Sequence, residues 1–203
     1  MGRWEPDARG RLAKAAMALY TEQGFDKTTV AEISARAGLT ERTFFRHFAD
    51  KREVLFYGME MARDLLARAI TDAPASATPM DAVGAALEVL ASSLQENPDR
   101  VRLRDAVVSA NAELRERELI KLASFAATMA GALHGRGIPE PAASLAAEAG
   151  IAVFKVAFAR WISEPGQRSL PGILRESMEE LRGVLADRSS VADRSSVADH
   201  SSM

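Results

Sequence analysis

Apolar positions along this chain recur with helical rather than strand spacing. Leu12, Ala15, Ala16, Leu19 and Tyr20 fall at i, i+3, i+4, i+7 and i+8 within a predicted helix from about Pro6 to Gln23. Gly24 is suited to end it in the left-handed conformation, with Phe25 folding back onto its last turn. Thr29-Val30-Ala31-Glu32 reads as a capping box opening a second helix, which stops at Ala37 before Gly38. After the short Gly38-Leu39 turn, Thr40 caps a third helix running to about Phe48. Asp50-Lys51-Arg52-Glu53 is a further cap-like tetrad, predicting a fourth, continuous helix to about Asp72.

Ala73–Thr78 has linker composition, and Pro79 suits the first turn of a fifth helix ending near Asn97. A sixth is expected from Pro98, a seventh from Ala112 to His134, an eighth from Pro141 to Glu164, and a ninth from Pro171 to Ala186. Alternating β-branched runs are missing, so the expected fold class is all-α, with about nine helices. Asp187-Arg188-Ser189-Ser190-Val191-Ala192 then repeats from Asp193, and this polar hexad is expected to be disordered. The expected organisation is an N-terminal domain over 1–52, with a helix-turn-helix at about 29–48, a larger helical domain over 53–186, and a low-complexity tail over 187–203.

Composition narrows the function. The 203 residues are 47% hydrophobic, ample for a core, and contain no Cys, which removes thiolate chemistry, disulfides and cysteine-ligated zinc. His47, His134 and His200 are too scattered for a local metal motif. Phosphate loops, H-E-x-x-H and a nucleophile elbow are all missing, so the chain does not read as an enzyme, and no cofactor or metal is implied. The polar N-terminus lacks a secretory signal, and no 18 apolar residues run uninterrupted, so a cytoplasmic protein with no membrane association is expected.

Net charge is −2, yet the segment from Arg36 to Arg52 holds Arg36, Arg42, Arg46, Lys51 and Arg52 against Glu41 and Asp50. A local excess of positive charge on two capped helices joined by a tight turn suits DNA phosphates. Ile33, Leu39, Phe44 and Phe48 are expected to form the core shared by those helices, with Ser34 letting them cross closely. Upstream, Arg3, Arg9, Arg11 and Lys14 are candidates for a basic arm reaching a neighbouring groove.

The run from Val30 to Leu55, with its Thr43-Phe44-Phe45-Arg46-His47-Phe48 core followed by Lys51 and Leu55, resembles the DNA-binding domain of TetR-type transcriptional regulators. The resemblance covers roughly Arg9 to Met59; beyond it only helix number and order fit. It implies that the third helix enters the major groove. Thr40, Arg42 and Thr43 then become base-facing candidates, Arg42 for guanine and Thr43 for a thymine methyl. His47 and Lys51 match phosphate contacts, and Thr29 offers a hydroxyl. Phe45 stands where the family usually has Tyr, losing a phosphate hydrogen bond; simple packing is the alternative role for its ring.

The resemblance also implies a homodimer through the last two helices and hence a palindromic operator in double-stranded DNA. The eighth helix, apolar nearly all round, independently calls for burial on more than one side. Phe125, Met129 and Leu133 form a stripe on the seventh helix that Met59 and Val107 could face; with Phe154 and Phe158 they are the candidate effector-binding residues. Lys155 and Arg160 within the apolar eighth helix are either anion ligands or paired charges. The charged run Leu114–Leu122, with Gly137-Ile138-Pro139, is similar to a family subset with an acyl-CoA-type ligand domain; otherwise it is a solvated helix face with short-range pairs. The expected function is a ligand-responsive repressor released by a small apolar or acyl-type effector, the alternatives being a constitutive or activating regulator, or a helical adaptor without DNA binding.

Overall fold

Nine α-helices and one single-turn 3₁₀ helix make up the secondary structure of the described residues, with no strand among them. The computed structural model describes residues 7–164, 166 and 168–198, the last twelve of these by backbone alone. The helices are α1 Ala8–Gln23, α2 Val30–Arg36, α3 Glu41–His47, α4 Met59–Thr71, α5 Pro79–Gln95, α6 Pro98–Ser109, α7 Ala112–Gly135, α8 Ala142–Ser163 and α9 Leu170–Ala198, with the 3₁₀ turn at Glu53–Phe56.

The all-α expectation holds, with one break and one extension. The fourth helix is divided: the 3₁₀ turn ends at Phe56 and α4 starts at Met59. Gly58 between them takes φ 98°, a left-handed conformation that no continuing helix contains. At the other end, the α9 backbone runs twelve residues past the expected end at Ala186, into the hexad segment expected to be disordered. No Gly or Pro follows Gly183 there, and elongating a formed helix costs far less than nucleating one. The rest of the expected tail, 199–203, lies outside the described residues, as does Arg3.

Two compact units share the chain, and their division differs from a cut after residue 52. The first comprises residues up to Asp64 together with Asn97–Ser124; the second comprises Leu65–Glu96 and the residues from Phe125 onward. In the first unit α1 packs against α2, α3, α6 and the 3₁₀ turn. Its core unites Leu12, Ala16 and Leu19 of α1 with Ile33, Phe44, Phe48, Val54 and Phe56, and takes Val108 and Leu114 from the later segment. In the second unit α5, α8 and α9 pack mutually. Trp161, Leu87, Leu170 and Ile173 are fully buried there, each removing apolar surface from water at about 25 cal/mol per Å².

The α8 helix corrects one expectation about membranes. Ala142–Ser163 is long and apolar enough, by length and composition, to cross a bilayer. Counting uninterrupted apolar runs missed this, because its few charges, such as Glu148 and Lys155, are spread along it. Nearly half of the apolar window, 44%, is buried, and the helix packs on α5 and α9.

Candidate nucleic-acid interface

The expected helix-turn-helix is present, and its local chemistry explains its shape. Thr29 Oγ1 accepts from the Glu32 N–H at 3.2 Å while the Glu32 carboxylate accepts from the Thr29 N–H at 2.8 Å, a complete capping box. The bond from the Thr29 N–H, with one from the Thr29 hydroxyl and one from Gln23, holds the Glu32 carboxyl below the usual carboxylate range. The α2 helix ends in a Schellman motif: the Leu39 N–H donates to Ser34 O at 2.9 Å and the Gly38 N–H to Ala35 O at 3.0 Å. Gly38 adopts φ 66°, and Arg11 Nη2 donates to the neighbouring Ala37 carbonyl at 2.5 Å. Thr40 then caps α3, accepting from the Thr43 N–H at 3.2 Å.

This scaffold presents one outward face of α3. Phe44 is fully buried and Phe48 nearly so, while Glu41, Arg42, Phe45 and Arg46 are exposed. Among the described residues Arg42 and Arg46 have no ion-pair partner. The other three cations of the basic segment are engaged within the first unit. Arg36 makes a two-pronged pair with Glu22 at 2.9 and 2.6 Å, and Arg52 faces both oxygens of Glu113 at 2.8 and 3.0 Å.

Lys51 departs most from expectation. Its ammonium donates to the carbonyls of Phe25, Asp26 and Thr28 at 2.8, 3.1 and 2.8 Å. An ammonium has three N–H donors, so none is left for a phosphate. Lys51 therefore ties down the loop entering α2. Its own carbonyl accepts from the buried Tyr20 hydroxyl at 2.6 Å, whose pKa burial, and then the Asp50 charge, push well above the ordinary phenol value.

His47 is half-buried, and its Nε2 points inward without a hydrogen-bond partner among the described residues. Burial first, then the positive charges of Arg46 and Arg9, lower its pKa, so the ring is neutral at pH 7. Thr29 and Thr43 have hydroxyls already engaged, the first with Glu32 at 2.8 Å and the second with Thr40 at 3.0 Å. Phe45 is not packed away: its ring touches Phe44 edge-on at 5.4 Å and is otherwise 56% exposed.

The basic-arm expectation also changes. Arg9, Arg11 and Lys14 belong to α1. Arg9 stacks over the rings of Phe48 and Tyr57, at 5.5 and 5.2 Å, and pairs with Glu60, so two of these three cations face protein.

Behind the interface lies an ionic cluster that sequence reasoning reduced to a solvated helix face. Glu53 pairs with Arg117 and Lys121, Arg117 also lies 3.7 Å from Asp50, and Arg104 pairs with Glu118. These side chains are about one-fifth to one-third exposed, and Arg117 and Lys121 lie 64 and 68 residues from Glu53, which spacing along one helix cannot reveal.

The candidate effector residues are not gathered in one unit. Met59 and Val107 pack against the core of the first. Phe125, Met129 and Phe154 are buried in the second, and Phe158 stacks between Phe154 and Trp161 with centroids 5.8 and 5.9 Å away. None of these residues lines a groove of about 480 Å³ along α5 and α9, whose lining includes Gly84, Ala85, Val89 and Met178. Arg160 pairs with Glu176 and Glu180 of α9, as a paired charge, while Lys155 is exposed.

Residues 12–57 match the family described as bacterial regulatory proteins, tetR family. The HTH-type transcriptional regulator TcmR of Streptomyces glaucescens is 31% identical over 88 residues, which make up 43% of this chain and 39% of that protein. The chain thus spans well under half the length of that relative. Among solved structures, SmeT, the repressor of the Stenotrophomonas maltophilia multidrug efflux pump SmeDEF, has TM-score 0.57 and 22% identity, covering 84% of this chain and 86% of that one. Thermus thermophilus FadR, a TetR-family repressor in complex with lauroyl-CoA, has TM-score 0.55 and 21% identity, covering 84% and 91%. Both likenesses are of fold.

Proposed function

We propose that the chain belongs to the tetR family of bacterial regulatory proteins, whose model its residues 12–57 match, and that it is a DNA-binding repressor that binds a palindromic operator as a homodimer and is released by a small apolar or acyl-type effector. The observation that carries the DNA-binding part is the outward face of α3. It holds Arg42 and Arg46, the two cations of the basic segment left without ion-pair partners among the described residues, on a rigidly capped helix. In this reading Arg42 reaches guanine O6 and N7 in the major groove, and Arg46 supplies charge for the phosphate backbone.

Dimerisation is supported by α8. Leu145, Ala149, Ala152, Val156 and Ala159 recur at i, i+4, i+7, i+11 and i+14, one stripe that stays exposed or half-buried within this chain. Leu145 and Val156 are 66% and 53% exposed, and the small residues between them let a second helix approach. On α9, Val184 and Leu185 are also exposed. The effector acts by preferring the state of the dimer that does not fit the operator, since a ligand of equal affinity for both states shifts nothing.

The deciding experiment is selection of binding sites from random duplexes with the purified protein, followed by salt titration of the winner. The expected result is a two-fold symmetric sequence whose affinity falls steeply with salt. No enrichment at low salt overturns the regulator and leaves a helical adaptor.

A further inference from the structure

The exposed ring of Phe45 has no packing role that accounts for it. One edge rests on Phe44 and the remainder faces solvent, so burial, the usual stabilising contribution of a phenylalanine, is forgone. Phe45 follows Arg42 by three positions and Glu41 by four, which places the ring on the same outward face of α3, one turn from the Arg42 guanidinium. Flanking it is Arg46, also exposed. An aromatic ring between two cations, on a helix presented for DNA, meets the duplex when those cations do.

The chemistry of the ring limits what it can recognise. It carries no donor or acceptor, so it neither bonds a phosphate oxygen nor reads a base by hydrogen bonding. The one apolar group that distinguishes base pairs in the major groove is the C5 methyl of thymine. Thr43, the residue whose methyl was expected there, is half-buried with its hydroxyl on Thr40. Three residues of helix advance about 4.5 Å, against about 3.4 Å per base step, so the ring falls one to two steps from the base pair that Arg42 meets.

We propose that Phe45 reads a thymine C5 methyl in each half-site, making it a specificity-determining residue of this chain. The inference rests on the operator-binding function proposed above and adds a base identity to it. The contact excludes water from the methyl without using any polar group of the helix. Discrimination at that position is therefore against cytosine and uracil alike, and methylated cytosine substitutes in part.

The test uses the full chain and the selected operator, with thymines replaced one symmetric pair at a time by deoxyuridine, which removes only the methyl. Wild-type protein is expected to lose about fourfold in affinity for each methyl removed at one such pair, and little elsewhere. Phe45→Ala is expected to bind the thymine and uracil duplexes equally, and Phe45→Leu to keep part of the ratio. Thermal melting by circular dichroism checks that both variants fold. Deoxyuridine without effect at every position, or a Phe45→Ala protein that retains the wild-type ratio, overturns the assignment while leaving operator binding intact. A wild-type protein that binds no duplex overturns the regulator reading, and the assignment with it.

Discussion

The Lys51 ammonium lies 2.8 Å from the carbonyl oxygen of Phe25 and 4.5 Å from the centroid of the same residue's ring. A single side chain thus engages both backbone and ring of the residue that follows Gly24, where α1 gives way to the loop before α2. Replacing Lys51 by Met is expected to destabilise the protein by about 1–3 kcal/mol, because three carbonyls lose a charged donor together. Urea unfolding measures this. The salt slope of operator binding should stay as in the wild type. Unchanged stability with a slope shallower by about 1.8 for the dimer, one lost phosphate contact per protomer, would instead restore Lys51 as a phosphate contact.

Gly38 is where α2 turns toward α3, at φ 66° and with Arg11 Nη2 3.0 Å from where a Cβ would stand. An alanine there is strained by its backbone and crowds the guanidinium. Gly38→Ala should cost about 1–2 kcal/mol of stability, seen as a lower urea midpoint with an unchanged m-value.

The basic segment divides into cations engaged within the protein and cations facing outward, and binding assays should separate them. Arg42→Ala is expected to relax base preference at one symmetric pair of operator positions, at about 1–3 kcal/mol per half-site. Arg36→Ala removes the exposed pair with Glu22 and should leave base preference intact. Repeating the site selection with each variant decides the matter; identical preferences for wild type and Arg42→Ala reject Arg42 as a reader.

His47 makes stability fall on acidification. Its folded pKa lies below its ordinary value of 6.5, so the unfolded chain takes up the proton first. The stabilisation is complete above pH 6.5 and is lost as pH falls from there through the folded pKa. His47→Gln should therefore show a smaller drop in melting temperature than the wild type between pH 7.5 and 5.5. Parallel curves for the two proteins would contradict the inward-facing neutral ring.

Helix starts and stops were legible wherever a local rule fixes them. Thr29 with Glu32, Thr40, Gly24 and Gly38 all act within a few residues of chain, and each is found in its expected role. Gly58 was overlooked because the apolar periodicity on either side hides a single positive φ. The site was legible in outline and less so in its charges. Counting cations between Arg36 and Arg52 treats them as equal, whereas Glu22, Glu113 and the carbonyls of the 25–28 loop, remote in sequence, engage three of the five. For the same reason Arg117 and Lys121 look like a solvated helix face until Glu53 is placed beside them.

The core of the first unit contains Val108 and Leu114 next to Leu12, Ile33 and Phe44. During synthesis α3 therefore emerges from the ribosome long before its own interior can close. Through the intervening residues 65–96, whose partners in the second unit begin at Phe125, the nascent chain carries two unfinished cores at once. The first becomes completable when Ser124 has emerged, and the second only later. A chain truncated after Asp64 would retain every residue of the α3 face proposed to meet DNA, but it would lack part of the apolar filling beneath, leaving an aggregation-prone fragment rather than a minimal module.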